Sequence, residues 1–257
     1  MPVTIAVAGK GGTGKTTLVG LLTRYLVQKQ KGRILAIDAD PSSNLHLVLG
    51  LPQGETIGDL REESRENVQT GAAAGLPRQD WLNYSVRMAV EEGDDFDLLN
   101  MGRPEGPGCY CAANHMLRSI IDGIGASYDY VIMDNEAGME HLSRRTTRDV
   151  DHLLLVSDAS LRGMVAAENM LALSGTLDIH IKNTFLVINR VVGELSPALR
   201  AKADALGVPL LAVVPYDQQL VEYDSDGRPL VELPTDSAIS QVVEQIAVRL
   251  LAGQPAG

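Results

Sequence analysis

Gly9-Lys10-Gly11-Gly12-Thr13-Gly14-Lys15-Thr16-Thr17 stands directly after the apolar run Val3-Thr4-Ile5-Ala6-Val7-Ala8 and directly before a stretch with helical apolar periodicity. It satisfies G-x-x-x-x-G-K-[ST], a pattern that works only as strand, loop and helix in that order. Glycines allow consecutive backbone N–H groups to turn toward one anion, and the positive end of a helix beginning near Lys15 points to the same place. The loop therefore predicts a triphosphate site lined by Gly11, Gly12, Thr13, Gly14, Lys15, Thr16 and Thr17. Lys15 brings a mobile charge to the β- and γ-phosphates, and the Thr16 hydroxyl goes to Mg2+. A Gly-rich turn with incidental basic residues is the alternative, and it leaves the strand-loop-helix context unexplained.

The remaining chain repeats that alternation. Short runs rich in Val, Ile and Leu predict strands at 3–8, 33–38, 96–100, 129–134, 152–157, 183–189 and 210–214. Helices are predicted at 15–30, 112–125, 139–149, 161–174, 196–206 and 237–251. Together they give an α/β fold, a single doubly wound and mainly parallel sheet with helices on both faces. One P-loop domain is expected to span 1–257, with a variable helical and loop insertion over 51–95. Residues 102–108 hold three Gly and two Pro, too many for a helix or central strand. They form a Gly/Pro loop over 102–111 that delivers Cys109 and Cys111 to the start of a helix.

Composition removes several function classes. The 22 Lys and Arg against 33 Asp and Glu leave a net charge of −11, unfavourable for a broad grip on nucleic acid or anionic lipid. Two cysteines are too few for a secreted disulfide scaffold. No basic leader precedes the first apolar run, and no apolar stretch reaches the roughly 18 residues of a spanning helix. The expectation is a cytoplasmic protein without nucleic-acid or membrane partners.

Two strands end in carboxylates. Asp38-Ala39-Asp40-Pro41 follows the second strand, and Tyr130-Val131-Ile132-Met133-Asp134 is an apolar strand closing on Asp134. A carboxylate at the end of a buried strand is costly unless it meets a cation or hydrogen-bond donors, and Mg·ATP supplies the first. Asp38 and Asp134 are thus candidates for the Mg2+ site, directly or through water. Each has a structural alternative as a cap for the following helix.

The string K-G-G-T-G-K-T, with its early lysine, resembles the deviant Walker A motif of the SIMIBI-class ATPases related to MinD, ParA, ArsA and the nitrogenase iron protein. The resemblance implies ATP and ADP as ligands and a homodimer closed by ATP, with Lys10 stabilising transition-state charge in the partner's site. A solvated surface lysine is the alternative for Lys10. The resemblance further implies that Asp40 orients or deprotonates the attacking water and that Gly138, in Asn135-Glu136-Ala137-Gly138, presents its N–H to the γ-phosphate. Base selection falls on Asn189 and Arg190 after one late strand and on Pro215, Tyr216 and Asp217 after the next. A plain strand terminator is the alternative for Pro215. No N-K-x-D string follows Asn189, so ATP is favoured over GTP.

Cys109-Tyr110-Cys111 supplies half of a tetrahedral thiolate site. A twofold dimer completes a four-cysteine site with Zn2+ or Ni2+ between subunits; His115 is a candidate third ligand, and two unliganded thiols are the alternative. The Walker A string, Cys-Tyr-Cys before a helix, Glu136-Ala137-Gly138-Met139-Glu140-His141-Leu142 and Val214-Pro215-Tyr216-Asp217 together resemble the carbon monoxide dehydrogenase maturation ATPases, CooC. That resemblance implies an ATPase assisting nickel insertion into carbon monoxide dehydrogenase; related ATPases serve acetyl-CoA synthase. A nitrogenase-iron-protein-like reductase lacks its second cysteine, because none follows Asp134. A MinD- or ParA-type positioning ATPase is the remaining rival.

Overall fold

Alternate residues of the central strands enter two separate cores, which is what a sheet covered on both faces requires. Ile5, Val7, Ala36, Ile132 and Leu154 meet the first helix and the last one. Their neighbours Ala6, Ala8, Ile37, Met133 and Leu153 enter the opposite core. Each large aliphatic side chain so enclosed contributes about 1.5–3 kcal/mol.

The computed structural model describes residues 2–60, 88–102, 127–137, 149–176 and 180–252. Their strands are β1 (Val3–Gly9), β2 (Ile34–Asp38), β3 (Val90–Glu92), β4 (Asp97–Asn100), β5 (Tyr130–Ala137), β6 (Asp149–Asp158), β7 (His180–Val191) and β8 (Leu210–Pro215). All join one 8-stranded sheet in the order β3-β4-β2-β5-β1-β6-β7-β8. Only β3 runs antiparallel to its neighbour. The described helices are α1 (Lys15–Gln28), α2 (Leu45–Leu49), α3 (Leu161–Ser174), α4 (Pro197–Ala205), α5 (Gln218–Ser225) and α6 (Ala238–Leu251). This is the expected doubly wound, mainly parallel fold.

Serine caps set three helix starts. The hydroxyls of Ser160, Ser196 and Ser237 accept from the N–H groups of Gly163, Leu199 and Ser240 at 3.0, 3.3 and 3.3 Å. Pro197 at the first turn of α4 needs no N–H partner there.

Several expectations are corrected. The helix predicted over 139–149 cannot include Asp149, which begins β6 and pairs with His180. β7 extends well beyond 183–189 because the lengthened β6 gives it partners from residue 180 onward. Polar His180 and Lys182 concealed that start. Among the described strands and α-helices, three were not predicted: α2, β3 and α5. The first two are only 5 and 3 residues long, and α5 has 8 residues, none fully buried, with Leu220 and Tyr223 partly buried against the core. Of the insertion at 51–95, a helical turn at 57–60 and β3 are described. Residues 61–87, the Gly/Pro loop beyond Gly102 and the predicted helix 112–125 lie outside the described residues.

Candidate nucleotide-binding site

The phosphate loop closes at the carboxyl end of β1. Thr13 turns back on it, its N–H and hydroxyl donating to the Lys10 carbonyl at 3.3 and 2.8 Å. Gly12 and Gly14 take φ of 79° and 91°, a region that side chains with a Cβ rarely adopt. At Gly14 space is limiting as well, since a Cβ would stand 2.3 Å from Asn189 Nδ2. Gly14 caps α1 without a side-chain bond, so the first-turn N–H groups remain for a ligand. Lys10, Gly11 and Gly12 are exposed, whereas Thr13 and Lys15 are buried. The loop thus holds one lysine inside and presents the other outward.

Beside it, Asp38 and Asp134 are register partners on β2 and β5. Two residues back on each strand stand Ala36 and Ile132, both in the α1-side core, so the carboxylates share the α1 face. Thr16 Oγ1 donates to Asp134 Oδ2 at 2.6 Å, which ties the first turn of α1 to β5. The other oxygen, Asp134 Oδ1, is enclosed and has no partner among the described residues. Burial pushes the Asp134 carboxyl up to about 7, with the Thr16 bond and Lys15 opposing and the charges of Asp38 and Asp40 adding to the rise. Burial likewise lifts Asp38 to about 6, against the N–H groups of Leu45 and Asp40. Those groups donate to its two oxygens at 2.8 and 3.1 Å. Asp38 therefore caps α2 in this state, the structural alternative its position allowed.

Asp40 is half-buried at the turn that follows. Its Oδ1 accepts from Ser42 N–H and its carbonyl from Ser43 N–H, each at 2.9 Å. Ser43 takes a left-handed φ of 46° to make that reversal. The donor set of hydroxyl and carboxylate oxygens suits Mg2+, which keeps several waters and takes few protein ligands. Among the described residues no group of three or more His, Cys, Asp or Glu side chains forms a metal cage. The enclosed, unpartnered Asp134 oxygen is the observation that fits a cation arriving with its nucleotide.

A cleft of about 250 Å3 lies on the other side of the loop, lined by Gly14, Thr17, Asn189, Arg190, Pro215, Tyr216 and Asp217. Every residue expected to select the base is therefore brought together. The side-chain polar groups of Asn189 and Asp217 are nevertheless engaged. Asn189 Nδ2 donates to the Thr13 carbonyl at 2.8 Å and its Oδ1 accepts from Arg190 N–H at 2.8 Å. Asp217 accepts from Leu220 N–H at 3.2 Å and from Ile239 N–H at 3.1 Å, capping α5 and the start of α6 together. Tyr216 is anchored through its N–H to the Val191 carbonyl and leaves its ring half exposed. Leu220, Val221, Asp224 and Ile239 complete the wall. Sequence reasoning missed Leu220, Val221 and Asp224 because α5 was not predicted, with Asp217 as a cap residue the available signal; Ile239 stands on the predicted last helix, whose first turn only the fold brings to the cleft.

Residues 4–230 match the CobQ/CobB/MinD/ParA nucleotide binding domain family. The chain belongs to this family. An uncharacterized ATP-binding protein of Methanocaldococcus jannaschii is 42% identical over 96% of this chain and 98% of its own. The carbon monoxide dehydrogenase accessory protein CooC of Rhodospirillum rubrum is 31% identical over 89% of each chain. Among solved structures, the septum site-determining protein MinD of Pyrococcus horikoshii with Mg-ADP superposes with a TM-score of 0.71 at 24% identity, covering 98% of both chains. A ParA family ATPase of Chlorobium tepidum gives 0.73 at 18%, covering 96% of this chain and 98% of its own. These structures establish the MinD/ParA fold.

For this MinD/ParA-family chain, Cys109, Cys111, His115 and Gly138 lie outside the described residues. Among the described residues no helix is long and apolar enough to cross a membrane. The apolar face of α6, with Ile239, Val243, Ile246, Ala247 and Leu250, is buried against the sheet. Its Arg249 donates to the Leu211 carbonyl.

Proposed function

We propose that this chain is an ATP-hydrolysing, nucleotide-dependent dimeric maturation factor that assists nickel insertion into carbon monoxide dehydrogenase. A single P-loop domain over 1–257 carries it. The observation that bears most on the hydrolytic part is the Thr16–Asp134 pair beneath buried Lys15, with one carboxylate oxygen left open. Backbone N–H groups of the loop and Lys15 hold the β- and γ-phosphates. Thr16, Asp38 and Asp134 are the residues that would hold Mg2+, directly or through water, and a bound ion would supply charge neutralisation at the phosphates. Asp40 orients the attacking water and takes its proton as the bond to the leaving ADP breaks. The exposed position of Lys10 suits a lysine that acts in the partner's site.

The maturation part is supported by the relationship to the Rhodospirillum rubrum accessory protein and by Cys109-Tyr110-Cys111. Two such pairs across a dimer axis make a four-thiolate site for Zn2+ or Ni2+. ATP-driven closure changes the spacing of the pairs, so nucleotide and metal affinities are reciprocally coupled. A related ATPase serving acetyl-CoA synthase uses the same machinery, and the client is then that enzyme.

The second reading, a positioning ATPase, is favoured by 25% identity to the MinD of Synechocystis over 96% of this chain. The buried apolar face of α6 and the net charge of −11 weigh against it. Reconstitution separates the two. Nickel-free carbon monoxide dehydrogenase at limiting nickel is expected to gain activity only with this chain and ATP. No gain there, together with ATP-dependent sedimentation on anionic vesicles or DNA, would overturn the maturation reading.

A further inference from the structure

Asn100 ends β4 in register with Asp38, which is itself in register with Asp134. Two residues before it, Leu98 enters the same α1-side core as Ala36 and Ile132. Asn100, Asp38 and Asp134 therefore form a row on one face, on adjacent strands about 4.8 Å apart. Asn100 is 1% exposed, and among the described residues its Oδ1 has no hydrogen-bond partner.

That position would ordinarily take an apolar side chain, as Leu98 and Leu99 do just before it. An enclosed acceptor without a donor bears its full desolvation cost. The backbone around it is fixed: Met101 N–H donates to the Asp38 carbonyl at 2.9 Å, and Gly58 N–H to the Met101 carbonyl at 3.0 Å. The end of β4 is thus held beside Asp38. Both Asp38 oxygens already accept backbone N–H bonds, and among the described residues no group donates to the Asn100 amide oxygen. An amide adds an acceptor to the row without adding a third negative charge to two carboxylates.

We infer that Asn100 is a positioning residue for Asp38, its Oδ1 accepting a hydrogen bond from a water of the hydrated Mg·nucleotide that Asp38 also holds. This rests on the nucleotide-site reading above and deepens it: the water network on Asp38 has a fixed second acceptor, one strand farther from the phosphate loop. Outer partners of this kind set metal affinity more than nucleotide affinity.

The test uses the full chain and a non-hydrolysable ATP analogue, with affinity measured by calorimetry in EDTA and across a Mg2+ titration. For Asn100→Leu the EDTA affinity stays within about twofold of the unsubstituted protein, while the Mg2+ needed for half the gain rises roughly 10-fold. Asn100→Ser, which restores a small acceptor, recovers most of the loss. Where the leucine variant fails to fold, Asn100→Ala carries the same expectation. An unchanged Mg2+ midpoint, or an equal loss in EDTA and in Mg2+, overturns the inference. An unsubstituted protein whose analogue binding gains nothing from Mg2+ overturns the nucleotide-site reading itself, a result distinct from any behaviour of the variants.

Discussion

The two sides of the phosphate loop are built on opposite terms. On the phosphate side, polar atoms are enclosed and left open: Asp134 Oδ1 and Asn100 Oδ1 have no partner among the described residues. On the base side, the polar groups of Asn189 and Asp217 are already bonded to backbone. Open, desolvated acceptors are costly until a cation or donor arrives. Satisfied ones hold a shape at little further cost. The first region is poised to respond to a ligand, and the second is a preformed wall.

That contrast predicts opposite consequences for substitutions on the two sides. The largest effect is expected from the exposed lysine. Lys10→Ala binds ATP but lowers turnover roughly 1,000-fold, as loss of a charge supplied in trans does, and leaves the thermal midpoint unchanged. Asp40→Ala lowers turnover on the order of 100-fold with nucleotide still bound. Steady-state hydrolysis beside analogue binding checks both, and normal turnover in Lys10→Ala removes its role in the partner's site.

On the base side the effect moves to stability. Asp217→Ala removes the cap of α5 and a bond to the first turn of α6, costing about 2 kcal/mol, with turnover at saturating ATP kept within a few-fold. Chemical denaturation and hydrolysis on the same preparation read the two terms. A large loss of turnover with unchanged stability would reverse the assignment and make Asp217 a direct ligand of the base.

The last effect concerns pH. Burial raises Asp38 to about 6 and Asp134 to about 7, above the ordinary carboxyl value near about 4. The folded protein therefore keeps protons that the unfolded chain gives up. Stability from this source is fully present below the unfolded value and is lost as pH rises through about 6 to 7. Nucleotide-free protein in EDTA is expected to melt lower at about pH 8 than at about pH 5. Asp134→Asn flattens that difference, and Mg·nucleotide reverses it. A flat profile in the unsubstituted protein contradicts the open, desolvated character of the phosphate side.

The phosphate side was the more legible of the two in the sequence. Gly9 to Thr17 announces a local geometry, and Asp38 and Asp134 each close an apolar run, so short-range pattern sufficed for strand, loop and acid row. The capping bonds of Asp38 and Asp217 were not legible in the same way. They join residues 7 and 22 positions apart and depend on where α2 and α6 come to rest. α5 is 8 residues long and fully buries none of them, so the partial packing of Leu220 and Tyr223 is its only apolar signature. Asn100 carried no motif, and only the register of β4 on β2 gives it neighbours.

The proposed function turns on a metal site shared by two chains and governed by nucleotide. Metal content per chain, measured on purified protein with and without a non-hydrolysable ATP analogue, tests it most directly. The account predicts one Zn2+ or Ni2+ per two chains, an affinity that changes with the analogue, and loss of the metal in Cys109→Ser/Cys111→Ser. Metal retained by the serine variant, or held with equal affinity whether or not the analogue is bound, would contradict it.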